Sequence, residues 1–217
     1  MTIQNSMERR SRGRQAGQGA QGMAKKDGGP AAERLSRADW IAAARRALVE
    51  GGIAAVKVDR LAARIAVTRG SFYWHFKSRA ELLDALLEEW RHANVEPFLR
   101  VEAGEEAPLM RLKRFVAVWL GADAFDPDLD SAMRDWARGS KRVATLVRAA
   151  DATRTDVLRR IFQALGYGPD EAEVRARVTY YHQVGYYALG IVESRKVREA
   201  LFPTYFKVLS GFDPPEG

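Results

Sequence analysis

The chain has 217 residues, of which 47% are apolar, so it can bury a substantial core as one domain or two small ones. It contains no cysteine, which excludes disulfides and thiolate metal sites, and no apolar run approaches the roughly 18 residues of a membrane helix. The net charge of +7 lies in the first 95 residues: residues 1–34 carry seven Lys/Arg and three acids, residues 35–95 carry ten and seven, and the remainder is balanced. This asymmetry indicates a polyanion partner at the N-terminal end, although a basic solubilising tail would account for the charge of the first 34 residues.

Residues 1–33 are predicted to form a disordered basic tail, because they are rich in Gly, Gln, Ala and Arg and almost lack large apolar side chains. Met7 and Met23 lie within this tail, so translation could start at either of them or at Met1. The tail lacks the apolar stretch of a signal peptide, and an organelle transit peptide is an alternative interpretation of its Arg-rich composition. We expect a soluble, cytoplasmic protein that does not bind a membrane.

Beyond the tail the sequence predicts an all-α protein, since no alternating run indicates a strand. Ser36 and Asp39 form a capping box at the start of the first helix, and the Gly51–Gly52 pair ends it. Two short helices are predicted next, over about 58–65 and 68–73, with a tight turn between them.

A long helix is predicted from 78 to about 99, beginning at a second capping box of Ser78 and Glu81. Pro108 begins a later helix, and residues 126–128 are expected in the loop after it. Apolar positions from 143 to 165 predict a helix of about 25 residues. Pro169 begins another, to about residue 192, and a last helix over about 196–209 is expected to break or kink at Pro203.

The two short helices have the layout of a helix-turn-helix, in which the second helix enters the major groove of DNA. Ala62 is small where the two helices must approach each other. The side chains expected to point inward and hold the angle between the helices are Leu61, Ile65, Val67 and Phe72. The outward face is then formed by Arg69, Gly70, Ser71 and Tyr73.

The segment DRLAARIAVTRGSFYWHFKSRAELLDAL, with a helix before it and an all-helical half after it, resembles the tetracycline-repressor-like (TetR) family of transcriptional regulators over residues 36–90. The resemblance implies an N-terminal three-helix DNA-binding domain over 34–80 and a C-terminal helical ligand-binding and dimerisation domain over 81–217. It also implies a homodimeric repressor that binds a palindromic operator in double-stranded DNA, needs no cofactor, and is released by a small-molecule effector. Two departures are Ala66, where the family usually has glycine, and Lys57, where Ser or Thr commonly caps the helix.

The side chains around the second short helix suggest individual roles in DNA binding. Arg69 can donate two hydrogen bonds to a guanine edge, with a phosphate contact or a solvated charge as the alternatives. Thr68 is expected to cap the helix and to help hold a phosphate, and Ser71 could contact a base or a phosphate. Gly70 would let the backbone approach DNA closely.

The aromatic cluster that follows is predicted to divide between the DNA and the core. Tyr73, His75 and Lys77 are predicted phosphate contacts, with packing or plain exposure as the alternatives. Phe72 and Phe76 are expected in the core, and Trp74 is expected mainly to pack.

The second half contains the candidates for an effector pocket. The segment 178–192 is apolar nearly all round, which is typical of a helix buried on several sides. The predicted ligand-binding residues, for each of which a core or surface role is the alternative, are Phe115, Trp119, Arg134, Trp136, His182 and Tyr186. A single helix-turn-helix buries little area, so a symmetric dimer is expected on physical grounds as well.

Two other functional classes compete with a sequence-specific regulator. A non-specific DNA-coating protein would use the basic tail, and it would bind with a steep salt dependence and little sequence preference. An enzyme is disfavoured, because the three histidines have no metal-ligand spacing and no glycine-rich phosphate loop or nucleophile elbow occurs. We therefore predict no catalytic residue and no metal site.

Overall fold

The computed structural model describes residues 35–120 and 125–216, and within these ranges the chain is helical without a strand. The all-α prediction is therefore confirmed, whereas the predicted disordered tail lies outside the described residues. The helices are α1 (Arg37–Gly51), α2 (Val58–Arg64), α3 (Arg69–Phe72), α4 (Arg79–Asn94), α5 (Glu96–Glu102), α6 (Pro108–Leu120), α7 (Pro127–Arg138), α8 (Lys141–Ala164), α9 (Pro169–Ala188) and α10 (Arg195–Ser210).

Helix α1 begins and ends where its sequence predicts. The Asp39 backbone N–H donates to Ser36 Oγ at 3.3 Å, and the Ser36 N–H donates to the Asp39 carboxylate at 2.6 Å, which completes the capping box. Gly52 ends the helix with a φ of 65°, a backbone conformation that glycine adopts without steric cost. Helices α1–α4 together are called the head below.

The core of the head is built around aromatic rings. Phe72 lies edge-on to Trp40, with ring centroids 5.2 Å apart, and is stacked on Phe76 at 5.4 Å. Leu61 and Ala62 are buried beside them, as predicted. Two further predicted inward residues, Ile65 and Val67, are half-buried and pack against this core. The short helices α2 and α3 are therefore held in place by packing rather than by their own length.

The helix predicted from 78 to about 99 is interrupted at Val95, so the prediction of one continuous helix is wrong. Helix α4 ends at Asn94, and α5 starts at Glu96 with Pro97 in its first turn. Proline has no N–H to donate and its ring disfavours a helical residue before it, so the chain bends here. The periodic pattern of apolar residues continues across the bend, so this pattern does not show where α4 ends.

The predicted loop at 126–128 is also wrong, because these residues begin α7. The Asp126 carboxylate accepts from the Leu129 N–H at 3.0 Å, and Pro127 occupies the first position of the helix. An Asp-Pro-Asp sequence is common both in turns and at helix starts. The apolar residues that would have distinguished the two, Leu129 and Met133, are buried in α7.

Helices α8, α9 and α10 correspond to the three predicted at the end of the chain. Helix α9 stops at Ala188 rather than near residue 192, since Gly190 adopts a φ of 62°. The expected break at Pro203 does not occur, because α10 continues from Arg195 to Ser210. None of the helices in the described ranges combines the length and apolar content that spanning a bilayer requires.

Within one chain the segment 178–192 is only partly buried. Val178, Tyr181 and Val192 are exposed, and the buried positions of α9 are confined to residues 172–180. The apolar residues of this segment therefore include a face that the single chain leaves uncovered.

Two apolar cores stabilise the described residues. The core of the head continues into α7 and the first half of α8 through Leu129, Met133 and Val143. A second core packs α5, α6, α8 and α9 around Phe98 and Trp119. The head is thus packed directly on the helices that follow it.

Candidate functional site

The turn between α2 and α3 sets the direction in which α3 is presented. The Val67 N–H donates to the Ala62 carbonyl at 2.9 Å, and the Ile65 N–H donates to the Leu61 carbonyl at 3.1 Å. Ala66 between them has a φ of 55°, as the turn requires. This arrangement is a helix-turn-helix with a four-residue second helix.

The start of α3 is open to solvent. Thr68, Arg69 and Gly70 are exposed and Ser71 is half-buried. Thr68 occupies the N-cap position, but its side chain makes no capping hydrogen bond, so the predicted cap is wrong in that respect. A Cβ added at Gly70 would lie 3.7 Å from Thr68 Oγ1, an ordinary contact, so the fold itself does not require glycine there.

Arg69 is exposed and is oriented by two neighbours. One guanidinium nitrogen lies 3.3 Å from the Asp59 carboxylate of α2, and another donates to the Tyr73 hydroxyl at 3.4 Å. The hydrogen bond to Tyr73 and the charge of Asp59 raise the pKa of Arg69 above its ordinary value. Arg69 is therefore a positive charge held at the exposed start of α3.

The aromatic cluster divides between core and solvent, but not as predicted for Trp74. Phe72 and Phe76 are fully buried, whereas Tyr73 is 53% exposed and Trp74 is 88% exposed. The prediction that Trp74 mainly packs is wrong. Trp74 lies beyond the last residue of α3, Phe72, so no helical spacing directs its ring toward the core.

The two remaining head candidates lie where the chain enters α4. His75 is half-buried and Lys77 is exposed. The predicted capping box is incomplete, because Ser78 Oγ accepts from the Glu81 N–H at 3.3 Å but the Glu81 carboxylate accepts from the Lys77 N–H at 2.7 Å. The Lys77 backbone is thereby fixed while its side chain is exposed.

Arg79 is a structural residue that the sequence analysis missed. Its Nε donates to the Val56 carbonyl at 2.6 Å and its Nη2 donates to the Ile53 carbonyl at 3.1 Å. These bonds tie the start of α4 to the loop between α1 and α2. Backbone carbonyls have no sequence signature, so no pattern could have shown this contact.

Four cavities lie in the described second half of the chain, and each is lined by at least one predicted ligand residue. The first, between α6, α9 and α10, has a volume of about 70 Å³ and is lined by the predicted residues Trp119, His182 and Tyr186. The second, between α6, α7, α8 and α9, has a volume of about 220 Å³ and is lined by Trp119 and the predicted Arg134.

A buried ionic network forms one wall of the second cavity. Arg154 is 1% exposed, and its guanidinium donates to the Asn94 carbonyl at 2.7 Å, Asp130 at 3.0 Å and the Tyr180 hydroxyl at 3.0 Å. Although burial opposes it, the charge of Asp130 holds the pKa of Arg154 above its ordinary value. Burial also raises the pKa of Tyr180 to about 12, so this hydroxyl stays protonated near neutral pH.

The same network includes Arg134, which donates to Asp130 at 3.1 Å and to both oxygens of Asp151 at 2.7 and 3.0 Å. Arg134 also donates to the Tyr180 hydroxyl at 3.1 Å. The charged side chains of this cavity wall are therefore paired with one another.

The other two predicted ligand residues lie in the apolar cores. Phe115 is fully buried, with its ring centroid 4.7 Å from that of Phe98 and 5.0 Å from that of Trp119. Trp136 packs against the core of the head. In the described residues, no group of three or more His, Cys, Asp or Glu is placed to hold a metal ion.

Comparison with known proteins identifies the family. Residues 41–86 match the family model described as bacterial regulatory proteins, tetR family. The chain is 33% identical over 93 residues to the uncharacterised HTH-type transcriptional regulator TtgW of Pseudomonas putida, and the match covers 42% of this chain and 68% of TtgW. The chain belongs to the TetR family.

A second relative matches over a shorter segment. The HTH-type transcriptional regulator TtgR of Pseudomonas putida is 45% identical over 53 residues, which is 24% of this chain and 25% of TtgR. The match thus spans about a quarter of that relative's length.

Solved structures show the TetR fold over most of the chain. A TetR-family transcriptional regulator from Agrobacterium tumefaciens aligns with a TM-score of 0.62 at 17% identity, over 80% of this chain and 97% of that one. A TetR/AcrR-family regulator from Thermobifida fusca aligns with a TM-score of 0.57 at 20% identity, over 81% and 97%. At these identities the likeness concerns the fold alone.

Proposed function

We propose that this TetR-family chain is a sequence-specific DNA-binding repressor that acts in the cytoplasm as a homodimer. It binds a palindromic operator, and a small-molecule effector releases it. Residues 34–80 form the DNA-binding domain and residues 81–217 the ligand-binding and dimerisation domain. The relatives are named as transcriptional regulators, and no catalytic role is proposed. The observation that carries the proposal is the exposed start of α3, mounted on the buried Trp40, Phe72 and Phe76.

The exposed residues of the head have the chemistry that DNA binding requires. Arg69 is proposed to donate to a guanine edge, since a planar guanidinium matches the two acceptors that guanine presents in the major groove. The residues proposed to contact phosphate or to approach the backbone are Thr68, Gly70, Ser71, Tyr73, His75 and Lys77. Trp74 joins this group, because its exposed indole N–H can donate to a phosphate oxygen.

The uncovered face of α9 and α10 supports the homodimer. Exposed apolar residues recur at helical spacing along both helices, and they are Val174, Val178, Tyr181, Val197, Leu201, Tyr205 and Val208. Contiguous apolar stripes on two neighbouring helices indicate an interface, because isolated proteins rarely expose them. A second copy of the chain would cover this face and place two heads at adjacent half-sites.

Contacts between the head and the later helices support release by an effector. The Asn94 side chain, at the end of α4, donates to the Asp126 carbonyl at 2.8 Å and accepts from the Asp126 N–H at 3.2 Å. Arg45 of α1 donates from Nε to the Asp126 carboxylate at 2.9 Å. A ligand that favours one arrangement of the later helices can therefore change the spacing of the two heads.

Selection of bound fragments from random double-stranded DNA tests the proposal. We expect a palindrome whose half-site centres lie about 10 base pairs, or a multiple of that, apart. Binding without a preferred sequence but with a steep salt dependence would instead support the non-specific DNA-coating protein. Sedimentation of the free protein reports the dimer independently.

Substitutions in the head test the assigned roles. Arg69→Ala is expected to weaken operator binding by about 1–3 kcal/mol and to relax the preference at one base pair per half-site. Lys77→Ala serves as the matched control, and it should weaken operator and random DNA alike because a phosphate contact has no sequence preference. Unchanged affinity and base preference in the Arg69 variant would contradict its role as a base reader.

A further inference from the structure

The cavity between α6, α9 and α10 has walls suited to a flat apolar molecule. Trp119 is 5% exposed, and Tyr186 and Phe202 bring two more rings to the lining. The volume of about 70 Å³ is several times the roughly 10–15 Å³ that one water occupies by a comparable measure. His182 and Tyr205, with ring centroids 5.1 Å apart, are exposed in the single chain and form the open side of the cavity, and Tyr205 also belongs to the proposed dimer face.

One buried hydroxyl in this cavity has no partner. Thr179 is 3% exposed, it lines the cavity, and its Oγ1 makes no hydrogen bond with the described part of the chain. A hydroxyl removed from water without a partner destabilises the fold, and such groups are rare in native proteins. A ligand that carries a hydrogen-bonding group would supply the missing partner.

The second cavity differs from the first, because its charged side chains are already paired. There the guanidinium groups of Arg134 and Arg154 already donate to Asp130, Asp151 and the Tyr180 hydroxyl. A polar ligand that paired with those guanidinium groups would have to displace existing hydrogen bonds, whereas at Thr179 it would only add one.

The charges around the first cavity favour a neutral ligand. Glu193 and Arg198 both line it, so their charges offset each other. The Tyr186 hydroxyl donates to the Glu193 carboxylate at 3.1 Å, and Arg198 donates to the Trp119 carbonyl at 3.1 Å. An ion placed among the aromatic walls would lose its hydration without gaining an unopposed counter-charge.

We propose that this cavity is the effector site and that it binds a compact, uncharged, single-ring aromatic molecule with one hydroxyl or carbonyl group. The polar group pairs with Thr179, and the ring packs on Trp119, Tyr186 and Phe202. The effector role rests on the proposed function as a ligand-released repressor. It follows from position, since α9 and α10 form both the cavity and the proposed dimer face.

Calorimetric titration of the full-length protein without DNA tests the binding step. Phenol and toluene are matched probes, because they differ only in a hydroxyl against a methyl group. We expect the ratio of phenol affinity to toluene affinity to fall about tenfold in Thr179→Val, the size of one net hydrogen bond. Thr179→Ser keeps the hydroxyl and should retain the ratio, and Ser131→Ala, which removes a hydroxyl from the second cavity, should leave it unchanged.

The possible results distinguish a failure of the cavity assignment from a failure of the proposed function. An unchanged ratio in Thr179→Val, or no binding of either probe by the folded wild type, would overturn the assignment of the cavity. Saturating phenol is expected to lower operator affinity at least tenfold, and binding without that effect would overturn the effector role. Failure of the ligand-free protein to select any DNA sequence would instead refute the proposed function, since the titrations contain no DNA.

Discussion

The head and the helices that follow it have different interiors. Among the described residues, the buried side chains of the head are apolar up to Asn94, the last residue of α4. The later helices bury Asp130, Arg154, Thr179 and Ser210 as well as apolar groups. The head is therefore stabilised mainly by packing, whereas the later helices also depend on buried hydrogen bonds and ion pairs.

This difference suits the two proposed roles. A packed apolar core holds its side chains in one arrangement, which keeps the exposed start of α3 in a fixed orientation. A buried polar network is stable only while its partners stay in place, so a ligand or a small helix movement can change its stability. The head is therefore suited to keep a fixed shape, and the later helices are suited to respond to a ligand.

The largest expected effect comes from removing the centre of the polar interior. Arg154→Met keeps the volume but leaves the buried Asp130 with one fewer cation, so we expect a loss of about 3–5 kcal/mol in the free energy of unfolding. Arg148→Met is the matched control, because Arg148 is exposed on the same helix and should change stability by at most about 0.5 kcal/mol. Urea denaturation measures both variants.

The effect of Arg154→Met is expected to depend on pH. Burial tends to raise the pKa of Asp130, but Arg154 and Arg134 outweigh it and lower the pKa below the ordinary value of 3.8. A carboxylate with a lowered pKa contributes stability above its unfolded pKa and loses that contribution as pH falls through its folded pKa. The difference between wild type and variant should therefore stay constant down to about pH 4 and shrink below it, and a constant difference there would show that Asp130 is not the group that Arg154 stabilises.

The polar interior could not have been predicted from the sequence. Arg154 donates to Asn94 and Asp130, which are 60 and 24 positions away along the chain. No periodicity or motif links positions so far apart, since only the packing of α4, α7 and α8 brings them together. Arg134 was predicted as a ligand contact from its neighbours in the sequence, and its pairing with Asp151 could not be foreseen.

Substitutions of two nearby aromatics, one buried and one exposed, test the packing of the head, with a smaller expected loss of stability. Phe72→Leu removes a ring from the aromatic core, and we expect a loss of about 1–2 kcal/mol in the free energy of unfolding. Trp74→Leu, two residues later, should change stability by at most about 0.5 kcal/mol, because the ring is exposed, yet it should weaken DNA binding. Thermal unfolding and a DNA titration of each variant separate the two roles. Equal losses of stability would show that Trp74 also supports the core.

The head was largely predictable, because its determinants are local. The capping box at Ser36, the two short helices and the inward Leu61 and Phe72 are features of adjacent residues or of helical spacing. The prediction missed the bend at Pro97 although the effect of proline on the residue before it is a local rule, because the apolar pattern continues across the bend. Thr68 is a different case, since only the structure shows that its side chain leaves the helix start uncapped.

The smallest expected effect concerns the one described non-glycine residue with a positive φ, Ala66 at 55°. A left-handed backbone costs an L-residue about 1–2 kcal/mol, while glycine costs about 0.5–1 kcal/mol more conformational entropy on folding. Ala66→Gly should therefore stabilise the protein by about 0.5 kcal/mol. Ala63→Gly, in α2 without this strain, should destabilise it by about 0.5–1 kcal/mol. If both variants shift the urea midpoint in the same direction, the turn is not strained. If they shift it in opposite directions while operator affinity stays constant, the head tolerates a relaxed turn because packing around Phe72, rather than the turn itself, fixes the direction of α3.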